Sequence, residues 1–212
     1  MTIERKLTVS IGSRRSIRRY RSEPIERQVI ERLLHAATRA PSPHNRQPWR
    51  FAVIEDDAGK RELARAMGDR LREDRVADGD ESAAIEADVT RSRARIEGAP
   101  VAIVLCIDVR NMDRYRDGRR SQAENLMAVQ SAAMAAQNLL LAAQSEGLGG
   151  CIMCAPLFCP ETVSQVLKLP RGWIAQMLLT IGIPADCGRE RQRLPLDEVV
   201  IWRSQGAARW NE

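Results

Sequence analysis

Two arginine clusters, Arg14-Arg15-Ser16-Ile17-Arg18 near the start and Arg191-Gln192-Arg193 near the end, carry the side chains best suited to gripping an anion. A guanidinium presents a planar fork of donors that matches phosphate oxygens, and the Ser16 hydroxyl adds a neutral donor of the same reach. Short basic runs also occur as plain solvated surface, so each cluster taken alone admits both readings. One bound phosphate would account for both clusters together.

The segment Pro41-Ser42-Pro43-His44-Asn45-Arg46-Gln47-Pro48-Trp49 offers a second kind of chemistry. Its prolines restrict the backbone and hold amide and hydroxyl groups in an inflexible loop. Asn45 can present both an acceptor and donors to the edge of a flat heterocycle, whereas an ordinary turn needs only asparagine's tolerance of unusual backbone angles. The residues by themselves fit either use.

Other chemistries find little support. Gly147-Leu148-Gly149-Gly150 looks like a dinucleotide loop, but it follows a predicted helix and precedes a strand, the reverse of what phosphate binding at a helix amino end requires. There is no Walker loop, GxSxG elbow, HExxH pair or Ser, His and Asp arrangement, and no side chain stands out as a nucleophile. The five cysteines are an odd count, which opposes a disulfide framework. Cys151-Ile152-Met153-Cys154 could bind metal or cycle redox, yet no second such pair exists and only His35 and His44 could complete a site. Packing of small apolar thiols is the simpler account.

The elements that would position these groups follow from periodicity. Pro24 can open a helix in which Ile25, Val29, Leu33, Leu34 and Ala37 recur until Pro41 stops it. Residues 49–54 and 101–107 read as strands, the second more deeply buried. Between them, residues 57–98 are densely charged, which predicts one or two solvent-facing helices rather than a second core and suggests a mobile lid. Residues 121–146 are rich in Ala, Leu, Met and Gln without Pro or Gly, so a long helix is expected, apolar around much of its girth. It is covered either by the rest of its own chain or by a second copy in an isologous dimer. Glycines end it, and a strand at 151–153, a helix at 160–167, a strand at 174–183 and a short extended piece at 199–202 complete the chain. Helices covering a sheet are the expected architecture, with strand order left open.

At 212 residues the chain fits one domain, or one domain with an insertion, and can bury a sizeable core. The charge of +5, from 33 Lys and Arg against 28 Asp and Glu, favours anionic ligands. Aromatic residues make up only 4% and do not interleave with basic runs, so a base-stacking surface for nucleic acid is not expected. No apolar leader or long apolar run is evident, and a cytoplasmic protein without membrane partners is expected.

Four motifs in order, RRSIRRY from Arg14, PSPHNRQPWRF from Pro41, GLGG after the long helix and RQRLPLDEV from Arg191, resemble the nitroreductase family along nearly the whole chain. That resemblance implies a single α+β nitroreductase-like domain, a central mixed sheet flanked by helices, in an intertwined homodimer with FMN held noncovalently at the interface. It assigns Arg14, Arg15, Ser16 and Arg18 to the FMN phosphate and ribityl chain, with Arg191 and Arg193 as carboxy-terminal phosphate contacts. It sets Asn45, together with His44 and Gln47, beside the pyrimidine edge of the isoalloxazine. The backbone of Met153, Cys154 and Ala155 would face the reactive flavin nitrogen, with Cys154 standing where the family often has a carboxylate. The charged insertion, the Ala99-Pro100 step and the Ala-rich helix also resemble the carboxy-terminal reductase domains of enzymes that build the deazaflavin coenzyme F-420, although CIMCAPLFCP differs from their stretch and no ligase domain accompanies it here. The implied function is an FMN-dependent oxidoreductase taking hydride from NADH or NADPH to a small electrophilic acceptor such as a nitroaromatic, quinone or conjugated alkene. Reduction of a dehydro-deazaflavin, or flavin carriage without turnover, are the alternatives.

Overall fold

The computed structural model describes residues 3–203, arranged as α1 (Ile3–Ser13), α2 (Arg27–Ala37), β1 (Trp49–Ile54), α3 (Asp57–Ala77), α4 (Ser82–Glu97), β2 (Val101–Asp108), α5 (Gly118–Ser145), β3 (Gly149–Met153), α6 (Pro160–Leu167), β4 (Trp173–Gly182) and α7 (Leu196–Val199). The sheet runs β1-β2-β4-β3, and every pairing between these strands is antiparallel. The mixed sheet expected from sequence is therefore antiparallel in its named strands. Among the described residues its parallel component is a single bridge between Ser16 and Gly150.

β2 sits at the centre and is buried along its whole length, as its unbroken apolar run requires. Alternate residues feed two cores. Ile103, Leu105 and Ile107 meet α2 and α5 through Leu33, Ala132, Ala136 and Leu139. Ala102, Val104 and Cys106 meet α3, α4 and α6 through Leu63, Met67, Ile96 and Val163. Residues 57–98 do form two helices, but they supply part of a second core, contrary to the sequence expectation. The few apolar residues in that charged stretch are the inward stripe of the pair. Arg72 bonded to Glu86 at 2.6 Å, and Arg75 paired with Asp88, tie the two helices together.

α5 is capped by Asp117, whose carboxylate accepts from Arg120 N at 2.9 Å. By length and composition it could cross a membrane, yet its alanine and leucine stripe lies against the sheet and α2. Leu126 and Met134 remain exposed on its far side.

Three local details differ from the sequence reading. α2 begins at Arg27 after the extended residue Glu26, not at Pro24, and its buried stripe is Ile30, Leu33 and Ala37. α1 was not anticipated. The piece at 199–202 is not a strand: Pro195, with φ of −63°, starts the single turn of α7, and the residues beyond it have no strand partner among the described residues.

Candidate functional site

The first arginine cluster is fixed by the sheet. Ile17 N donates to Gly150 O at 3.1 Å, so residues 16–17 run along the start of β3 with Ile17 buried and its neighbours turned outward. Tyr20 completes the anchor: its hydroxyl donates to Ile17 O at 2.6 Å and lies 2.8 Å from Thr180 Oγ1. Burial pushes that phenol far above its ordinary range, which keeps it protonated. Arg21 N donates to Ile183 O and Ala185 N to Arg19 O, which brings the chain after β4 alongside the first cluster.

The return segment then turns at Gly188, whose φ of +69° suits glycine. A Cβ there would stand 2.9 Å from Arg15 Cβ, so the close approach also requires glycine. The result is a cavity of about 360 Å³ that gathers Arg14, Arg15, Ser16, Arg18, Arg189, Arg191 and Arg193. The two clusters lie 175 residues apart at Arg15 and Glu190, yet these two side chains bond at 2.8 Å. No carboxylate pairs with Arg14, Arg18, Arg191 or Arg193 among the described residues, whereas surface arginines such as Arg27, Arg32 and Arg72 are paired. Such a pocket can hold a phosphate dianion by several charge-assisted hydrogen bonds.

An adjoining cavity of about 870 Å³ shares Ser16, Arg18, Arg189 and Arg191 and adds Arg91, Ala94 and Arg95 from α4. Sequence reasoning missed these last contributors. Arg91 and Arg95 are spaced to share a helix face, but in so charged a segment that spacing does not single them out. Burial, and then the charge of Arg18, hold the Arg95 guanidinium below its usual value, as expected of a cation that faces another cation.

The loop after Pro41 is unusual in its backbone. His44, Asn45 and Gln47 have φ of 46°, 54° and 47°, the left-handed region, where each non-glycine residue costs on the order of 1–3 kcal/mol unless its surroundings hold it there. The surroundings do so. Gln47 N donates to Ser42 Oγ at 3.0 Å, Arg46 pairs with Asp113, and Arg50 Nη1 donates to Gln47 O at 2.9 Å and Trp49 O at 2.7 Å. His44, Asn45 and Arg46 line a cavity of about 460 Å³ with residues 110–113. This cavity is distinct from the arginine cavities, so one chain does not bring Asn45 to the arginine clusters.

Beneath the loop lies Asp108, almost fully buried, whose N–H donates to Pro48 O at 2.8 Å. Arg110 bonds its carboxylate at 2.6 and 2.9 Å and holds it below its ordinary value of 3.8. A depressed folded value means that the pair's contribution is fully present above the unfolded value and is lost as pH falls through the folded one. The Asp108→Asn variant is therefore expected to show a shallower loss of stability between about pH 5 and 2 than the parent chain, measured by urea unfolding. Parallel acid limbs would remove the pair from the account.

Met153 ends β3, and Cys154, exposed, leads into the turn Ala155–Phe158. Neither Cys154 nor Ala155 lines the arginine cavities. Cys106, Cys151 and Cys159 are buried, and burial alone pushes the Cys106 thiol up to about 12. Among the described residues no group of three or more His, Cys, Asp or Glu is placed to hold a metal ion.

Known proteins match this arrangement over most of its length. The chain is 32% identical over 214 residues to an NADH dehydrogenase of Thermus thermophilus, covering 90% of this chain and 92% of that one. It is 30% identical over 205 residues to a 5,6-dimethylbenzimidazole synthase of Rhodospirillum rubrum, covering 91% and 86%. Among solved structures, a nitroreductase in complex with FMN from Desulfovibrio desulfuricans superposes with a TM-score of 0.72 at 28% identity, covering 93% of this chain and 96% of that one. The model of the nitroreductase family matches residues 11–183, from the end of α1 past the last residue of β4, and the chain belongs to that family.

Proposed function

We propose that the protein is an FMN-dependent NAD(P)H oxidoreductase. The observation that carries this reading is the meeting of Arg14, Ser16, Arg18, Arg191 and Arg193 in one cavity, with no carboxylate paired to these arginines among the described residues. Their donor set fits the phosphate of FMN, with Arg15, braced by Glu190, at its side. FMN supplies two-electron transfer between a nicotinamide donor and a small electrophilic acceptor, such as a nitroaromatic, a quinone or a conjugated alkene. The chain's own part is to bind, orient and cover. Arg95 adds positive charge to the adjoining cavity, and α4 forms its wall through Arg91, Ala94 and Arg95, so the α3–α4 pair covers that side of it.

The working unit on this reading is a homodimer in the cytoplasm. Leu126 and Met134 on α5, and Leu194, Leu196, Ile201 and Trp202 near the carboxyl end, leave an exposed apolar surface of the kind a second copy covers. A partner would also bring its own Asn45 loop toward the arginine cavity, which a single chain keeps apart from that loop.

The test is the visible spectrum of the purified protein after FMN is added and the excess removed, followed by anaerobic titration with NADH and NADPH. A retained flavin that bleaches with one of them, and recovers when a quinone is added, is the expected result. A retained flavin that bleaches with neither would leave a non-catalytic flavin carrier, and no retained flavin would overturn the reading.

A further inference from the structure

Resting on the reading of the Asn45 loop as a flavin contact, we infer that Arg50 is a positioning residue that holds this loop in its binding conformation before the cofactor arrives. Arg50 lies on β1, outside the loop, and its guanidinium reaches back along the chain. Nη1 donates to the carbonyl of Gln47 at 2.9 Å and to that of Trp49 at 2.7 Å. Nη2 stands 3.7 Å from Oδ2 of Asp108, a carboxylate that is itself almost fully buried and bonded by Arg110. The guanidinium thus links a fixed point in the sheet to the carbonyl of a residue whose φ is 47°.

That linkage matters because Gln47 is not a residue that chooses the left-handed region unaided. Two of its neighbours, His44 and Asn45, share the same backbone region, and no glycine in the segment relieves them. Without an external hold the loop would spend most of its time in relaxed conformations. A ligand that needs the held form then binds more weakly by the fraction of time that form is absent. Ser42 and the Arg46–Asp113 pair brace the same loop, but that pair is more than a third exposed on both sides and contributes less than a half-buried, charge-assisted clamp.

Removing Arg50 should leave the fold intact. Asp108 keeps both bonds to Arg110 and its backbone bond to Pro48, so no buried carboxylate is stranded. Arg50→Leu preserves much of the aliphatic stem, and Arg50→Lys restores a charged donor.

The experiment is a double-mutant cycle on the full-length protein, with FMN affinity read from flavin fluorescence and folding checked by thermal unfolding. Arg50→Leu is expected to weaken FMN binding about tenfold, Arg50→Lys to recover most of the loss, and Arg50→Leu combined with Asn45→Ala to bind little worse than Asn45→Ala alone. Losses that multiply in the double variant, or full affinity in Arg50→Leu, would overturn the positioning role while leaving the loop a flavin contact. Full affinity in Asn45→Ala would instead remove the loop from the flavin site, and the proposal with it.

Discussion

Alanine at Arg14 or at Arg191 is expected to weaken FMN binding by about 1.5–3 kcal/mol in each case, the usual size of a hydrogen bond to a charged group, or roughly ten- to 150-fold in Kd. Neither guanidinium has an internal carboxylate partner among the described residues, so on the proposed reading its removal takes away a ligand contact without stranding an acid. Arg15 is a built-in comparison, because its partner Glu190 already occupies part of its capacity at 2.8 Å. Arg15→Ala should cost less. Added salt should weaken binding in the parent chain more than in either variant, since fewer charge contacts remain to be screened. Isothermal titration with FMN at two ionic strengths measures both effects. Undiminished affinity in both Arg14→Ala and Arg191→Ala would dissolve the phosphate assignment.

The second large effect falls on the scaffold beneath those arginines. A Cβ at Gly149 would lie 2.5 Å from Cγ1 and 2.7 Å from Cβ of Ile17, a clash with a branched side chain close to its own backbone. Gly149→Val is expected to lose about 3 kcal/mol of stability, at the upper end for overpacking, and to weaken FMN binding as well. Relief requires Ile17 to move, and Ile17 stands between Ser16 and Arg18. Gly118→Ala is the matched control, since nothing lies within 4 Å of a Cβ at that position. Urea unfolding of the two variants, alongside their FMN affinities, decides the matter. Equal behaviour would mean that the approach of Ile17 to β3 is not a tight constraint.

The residues that were easy to read are those whose pattern is local. Trp49–Ile54 and Pro160–Leu167 could be bounded from sequence because a short run rich in aromatic and β-branched residues and a helix-starting proline mark them directly. What escaped depended on distant partners. Leu63, Met67 and Ile96 look sparse among charges, and only the opposite face of the sheet reveals them as core. Arg91 and Arg95 join the arginine cavity through the packing of α4, which no spacing rule selects. Gln47 carries no hint of a left-handed backbone, since it is not glycine, asparagine, aspartate or histidine; its bond to Ser42 and the one it receives from Arg50 accompany it. The meeting of the two arginine clusters was legible because one anion could explain both. The separation of Asn45 from them within one chain was not.

The bridge between Ser16 and Gly150 has a bearing on solubility. β3 closes one end of the sheet, and an uncovered outer strand is a template for pairing with foreign chains. Here the backbone of residues 16–17 occupies part of that rim through the bond from Ile17 N to Gly150 O. The peptide proposed to offer its arginines to an anion is thus also the selvedge of the sheet. Cutting the chain at Pro24 would remove one of the two arginine clusters of the proposed site and would also leave β3 open to aggregation.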